Sequence, residues 1–141
     1  MNEDSLKRSI LLRELVDYFL HEGFKVIAAK ELEGYPPPPA FRNDGYGDQQ
    51  PKSPDVIGYH SAKRYYMSGI VRTGNDVESD SSLTEYNVFL DQKDKVTSES
   101  FRLCIIIPSS KINELTTFMT HYIHPDYWYR IVMIESTKCR E

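Results

Sequence analysis

The chain holds two cysteines, one tryptophan and no apolar run of membrane-spanning length. Cys104 lies inside an apolar stretch and Cys139 in a polar tail, so neither a disulfide framework nor a thiolate metal cluster is expected. A reducing compartment follows from that usage. Crossing a bilayer takes roughly 20 consecutive apolar residues, which no segment provides. The opening Met1-Asn2-Glu3-Asp4 is acidic and lacks the basic and apolar regions of a secretory signal. The expectation is a soluble cytoplasmic protein with no membrane partner. An excess of positive charge is missing too: 17 Lys and Arg against 21 Asp and Glu give a net charge of -4. That is the wrong sign for coating nucleic acid by overall electrostatics, which leaves only a local basic patch for such a role.

What remains is enough for one compact α/β domain over residues 1–141, since 141 residues at 40% hydrophobic supply a sizeable core. From about Leu6 to Glu22, Leu11, Leu15, Tyr18 and Phe19 recur at helical spacing, and Gly23 supplies a stop. A short strand, Phe24 to Ala29, comes next. Pro36 to Pro39 then break the pattern, because proline has no N–H to give a sheet ladder, and residues 34–53 are expected to be a long loop. The proline run itself reads as a stiff spacer. Asp55 to Tyr59 and Arg64 to Thr73 read as strands joined by the short turn His60 to Lys63, hence an antiparallel hairpin.

Ser82-Leu83-Thr84-Glu85 has capping-box spacing, and Leu83, Tyr86 and Leu90 mark one face of a second helix ending near Lys95. Phe101 to Ile107 is almost continuously apolar, as expected of a strand covered on both faces. Ser109 or Ser110 is placed to cap a third helix carrying Ile112, Leu115, Met119 and Tyr122, and Trp128 to Ile134 reads as a last strand. The expected order is α-β-β-β-α-β-α-β.

In that order, Pro54-Asp55 opens the second strand, and the hairpin leads to Gly69-Ile70-Val71-Arg72-Thr73-Gly74. The arrangement resembles the restriction-endonuclease-like or PD-(D/E)xK nuclease superfamily, Holliday-junction resolvases included. The resemblance implies a three-layer domain whose central mixed sheet is flanked by helices. It also implies a divalent-metal site, made by the Asp after Pro and an acid on the next strand, with a Lys two residues further on positioning the attacking water. Residues i and i+2 of a strand project to one face, which lets acid and lysine share a phosphate. Hard cations such as Mg²⁺ take oxygen ligands and stabilise charge on the transferring group.

Carried onto this chain, the Asp is Asp55, the acid position holds Ile70 and the lysine position holds Arg72. Ile70 has no oxygen to offer a metal, and Arg72 stays protonated, which suits it to clamping phosphate and excludes it as a base. The reading is therefore a degenerate, non-catalytic nuclease-like domain serving as a binding or assembly module. Its expected partner is DNA or a protein, a homodimer included, and no cofactor is needed. The alternative is a Mg²⁺-dependent endonuclease using Asp55 with a relocated acid, Glu85 or Glu78, and Arg72 as the clamp. Glu85 equally completes a helix cap. Glu14 borders the first helix's apolar face, and Asp76, Glu78 and Asp80 form an acidic run with an ordinary role at a turn and helix start. A third reading is a small α/β interaction protein without nuclease descent.

Other constellations yield to simpler explanations. His121 and His124 lack a third ligand of matching spacing. Ser109 and Ser110 lack the glycines of a nucleophile elbow. Tyr65, Tyr66, Tyr127, Trp128 and Tyr129, interleaved with Lys63, Arg64 and Arg130, have the composition of a base-stacking surface, but at strand spacing they fit a core or dimer interface. In the loop, Tyr35, Phe41, Arg42 and Tyr46 are candidates for a partner contact.

Overall fold

The computed structural model describes residues 3–42, 51–74 and 80–141. Five strands form an open mixed sheet in the order β1-β2-β3-β4-β5. The first two pairings are antiparallel: β1 (Lys25–Ala29) with β2 (Val56–His60), and β2 with β3 (Tyr65–Val71). The next two are parallel: β3 with β4 (Arg102–Ile107), and β4 with β5 (Ile131–Glu135). The helices α1 (Glu3–His21), α2 (Asp80–Leu90) and α3 (Ile112–Tyr122) complete the order α-β-β-β-α-β-α-β that periodicity alone predicts.

β4 shows why the sheet has helices on both sides. Cys104 and Ile106 join one apolar cluster with Leu11, Leu15 and Phe19 of α1. Leu103, Ile105 and Ile107 join the other, with Tyr86 and Phe89 of α2 and Leu115 and Met119 of α3. A strand's side chains alternate between faces, so a run with no polar member needs cover on both. All five of these β4 residues are fully buried.

α1 lies close to the sheet because two glycines make room for Phe19. A Cβ built on Gly58 would stand 2.6 Å from the Phe19 ring, and one on Gly69 would stand 2.9 Å from it. Any side chain at either place forces helix and sheet apart. Gly23 ends the helix with a φ of +89°, the left-handed conformation that glycine adopts without strain. In β1 a register shift between Val26 and Ala28 re-aims the strand, so that Ala28 and Ala29 are both buried.

Several boundaries depart from the sequence pattern. α2 stops at Leu90, five residues before Lys95, because the apolar repeat gives way to the polar Asp91-Gln92-Lys93-Asp94-Lys95. There Asp94 accepts from the Val96 N–H and closes a turn. Neither serine caps α3: Ser109–Lys111 forms a 3₁₀ turn, the helix N-cap is Lys111 without a side-chain cap bond, and Ser110 N–H donates to the Arg140 carbonyl. The last strand begins at Ile131 instead of Trp128. Pro125, with its fixed φ, starts a 3₁₀ stretch, Pro125–Arg130, and His124 Nδ1 accepts from the Asp126 N–H.

The proline segment is tied to the domain. The Ala29 N–H donates to the Pro36 carbonyl at 3.0 Å. Phe41 pairs with Lys52 in an isolated bridge and sets its ring edge-on against Phe89 and Phe101. Tyr35 packs on the α1-side cluster. These two aromatics, expected from sequence to meet a partner, fill the edge of the core.

Candidate functional site

Asp55 stands just ahead of β2 and is 4% exposed. Its backbone extends the β2–β3 ladder through an N–H bond to the Gly69 carbonyl. Its own carbonyl accepts from the Lys30 N–H at 2.8 Å. The carboxylate is saturated on two sides. Oδ2 accepts from the Val71 N–H at 2.8 Å, and Oδ1 meets the Arg8 guanidinium at 2.8 Å. A buried carboxylate needs a countercharge and donors for its lone pairs, and both are supplied by the protein itself.

Arg72 and Glu85 meet as well, at a different place. Arg72 follows β3, and its Nη2 lies 3.0 Å from Glu85 Oε1 on α2 while Nε donates to the Tyr86 hydroxyl at 3.0 Å. Its guanidinium carbon is 5.1 Å from the centroid of the Tyr86 ring. Glu85 is thus a partner of Arg72. The acidic position of the resemblance, Ile70, is 1% exposed and packs with α2 and α3 in the apolar cluster.

Asp55 and Glu85 are held by separate arginines, Arg8 from α1 and Arg72 from β3's end, and no hydrogen bond or ion pair joins the two acids. Among the described residues, no group of three His, Cys, Asp or Glu is placed to hold a metal ion. A hard cation wants several free oxygens, and of the described acids Asp55 offers it oxygens already bound to cationic and N–H donors. Glu78 and Asp76 lie outside the described residues.

Around Asp55 opens a cleft of about 460 Å³, lined by Ser5, Arg8, Ser9 and Arg13 of α1, by Lys30 and Glu31 after β1, and by Val71. Arg13 is exposed and Lys30 half-buried, and among the described residues neither has an ion-pair partner. Among the described residues, three cations against Asp55 and Glu31 leave this cleft positive on a chain whose net charge is -4. Such local concentration attracts anions over the neighbouring surface. Sequence reasoning missed Arg8, yet a signal was present. Arg8, Leu12, Leu15 and Phe19 follow the helical stripe that α1 buries, and a cation at the stripe's end implies a partner inside the fold.

The remaining candidates are scattered. Lys63 and Arg64 sit exposed on the β2–β3 turn, where Arg64 has a φ of +60°. The Arg42 carbonyl accepts from Gln92 Nε2, and Tyr46 lies outside the described residues. Glu14 accepts from Ser136 Oγ at 2.7 Å and from the Thr137 N–H at 2.8 Å, pinning the C-terminal segment to α1. His121 bonds its own helix through the Thr117 carbonyl. Arg130 is buried and donates to the carbonyls of Leu90 and Phe101, a structural role. Tyr127, Trp128 and Tyr129 are 42%, 42% and 72% exposed, so they are not the core strand residues that their spacing implies.

Among the described residues, no helix is long and apolar enough to cross a membrane. Comparison with known proteins brings no match: no protein-family model, no curated protein and no solved structure is similar to the chain.

Proposed function

We propose that this chain is a non-catalytic binding module on a PD-(D/E)xK-like scaffold, and that its Arg8–Asp55 cleft receives the phosphate backbone of a nucleic acid. The observation that carries the reading is the 2.8 Å pair between Arg8 and Asp55. A guanidinium lies against the one acid of the motif that the sequence retains. The motif's other acidic position is core, at Ile70. The element order and Pro54-Asp55 at the mouth of β2 support nuclease ancestry, and Arg13 and Lys30, without an ion-pair partner among the described residues, support an anionic partner. The module requires no cofactor.

The test is binding of labelled linear, branched and single-stranded DNA by fluorescence anisotropy over a salt series. An Arg13→Ala/Lys30→Ala variant is expected to bind more weakly and to flatten the dependence of log K on log salt by about 1 for each phosphate it no longer neutralises. Affinity and salt slope unchanged from the parent would overturn the cleft as the binding surface. In parallel, incubation with Mg²⁺ or Mn²⁺ should leave all DNAs intact. Cleavage that Asp55→Ala abolishes would instead establish the alternative, a metal-dependent endonuclease with Asp55 at its centre and Glu85 or Glu78 as second acid.

A further inference from the structure

A second cationic hollow lies at the other end of α1, and it shares no residue with the Arg8 cleft. It is lined by Tyr18 and Glu22 of α1, Lys63 and Tyr65 of the β2–β3 hairpin, Arg102 at the start of β4, and Tyr129. Arg102 is the unusual member. Its guanidinium lies between two phenol rings, 4.5 Å from the centroid of Tyr65 and 5.1 Å from that of Tyr129. The electron-rich faces of the rings hold a cation there without neutralising it. Among the described residues its Nε is buried with no hydrogen-bond partner, and Nη1 reaches only the Tyr129 carbonyl at 3.4 Å. Among the described residues no carboxylate pairs with Arg102 or Lys63, although Glu22 lines the same hollow. Two cations against one acid leave the hollow positive, with guanidinium donors to spare.

The volume restricts what can enter. At about 160 Å³ the hollow is well below the roughly 300–1,000 Å³ of a site that encloses a whole small molecule. A phosphate group fits inside, and anything attached to it must lie outside. Directly at the rim stands Tyr129, 72% exposed, with one face of its ring toward Arg102 and the rest open. An exposed aromatic ring at the rim of a cationic pocket offers stacking to a flat ring carried by the anion.

We propose that the Arg102 hollow is a nucleotide subsite, in which Arg102 and Lys63 hold a phosphate and Tyr129 stacks the attached base. The chemistry is shared by a free mononucleotide and by an unpaired nucleotide of a single strand. A base inside a duplex is already stacked on both faces and offers none to Tyr129, so the site discriminates against paired DNA. Sequence selectivity is not expected, because every base has a π-face.

The experiment compares the parent with Tyr129→Ala, Lys63→Ala and Arg102→Gln, each checked for an unchanged circular dichroism spectrum. Titrations use adenosine monophosphate, followed by quenching of tyrosine and tryptophan fluorescence, and a labelled oligothymidylate, followed by anisotropy. Tyr129→Ala is expected to weaken oligothymidylate binding about tenfold at fixed salt. Lys63→Ala should reduce the salt dependence, and Arg102→Gln should do both. Binding of the monophosphate with the same sensitivity assigns the site to free nucleotides; a response confined to the oligonucleotide assigns it to single strands. If all three variants bind both probes as the parent does, or if the parent binds neither, the proposal is overturned. Loss through Arg13 and Lys30 alone would leave the Arg8 cleft standing and sink this site, whereas loss through Tyr129 alone would do the reverse.

Discussion

Arg8 Nη2 and Asp55 Oδ1, 47 residues apart in the chain, lie 2.8 Å from one another, and with the Val71 N–H they leave the carboxylate of a 6% exposed side chain neutralised by the protein itself. The arginine side chain is 39% exposed, so water screens part of the attraction and the pair is weaker than a fully buried one. Arg8→Ala is expected to destabilise the fold by about 1 to 2 kcal/mol, mostly by stranding the Asp55 charge. Asp55→Asn keeps an acceptor for Val71 and needs no countercharge. In urea unfolding, Arg8→Ala made in the Asp55→Asn background should therefore lose less than it does in the parent. Additivity within about 0.5 kcal/mol would show that the two do not act as a pair.

Ser68 sits on β3 with no exposure, and among the described residues its hydroxyl finds no hydrogen-bond partner. A buried hydroxyl without a partner is a net cost, which an alanine removes while leaving only a small void. Ser68→Ala is expected to raise stability by about 1 kcal/mol, seen as a midpoint shift of about 2 to 4 °C in thermal unfolding. A lower midpoint would mean that the hydroxyl is paired in solution.

The Cys104 thiol is fully buried in the α1-side core, and burial, reinforced by Glu22, raises its pKa far above the ordinary thiol value. Tyr18 is raised as well, by burial first and then by Cys104, Glu22 and Tyr65. At pH 8 an alkylating reagent should label only the half-buried Cys139 in the folded protein and both thiols after denaturation. Above the unfolded thiol pKa of about 8.5 the unfolded chain holds fewer protons than the folded one, so stability should fall as pH rises. The expected slope approaches about 1.4 kcal/mol per pH unit for Cys104, and Tyr18 adds to it above about pH 10. Equal labelling of both thiols in the native state, or flat stability from about pH 8 to 10, would contradict the burial of this thiol.

Much of the fold is legible in the residue pattern because it rests on local rules. The alternation that divides Leu103, Ile105 and Ile107 from Cys104 and Ile106 is a strand property, and the stripe Leu11, Leu15, Phe19 is a helix property. Where short-range signals competed, the pattern misled. Ser82-x-x-Glu85 has capping-box spacing, which carries no hint of Arg72, thirteen residues away, with which the glutamate pairs. Trp128 to Ile134 reads as a strand, yet Pro125 and the His124 cap hold Trp128 to Arg130 in a 3₁₀ stretch.

By itself, then, the sequence determined the order of the elements, the helices needed on both faces of β4, and the position of Asp55 at the mouth of β2. Those follow from periodicities of a few residues, which the backbone imposes wherever they occur. Which cation meets Asp55, which acid meets Arg72, and that Arg102 rests unneutralised between Tyr65 and Tyr129 were decided only by tertiary structure. Such pairings join residues far apart in the chain, and a charge's partner depends on which side chains the packed helices and sheet bring within a few ångströms.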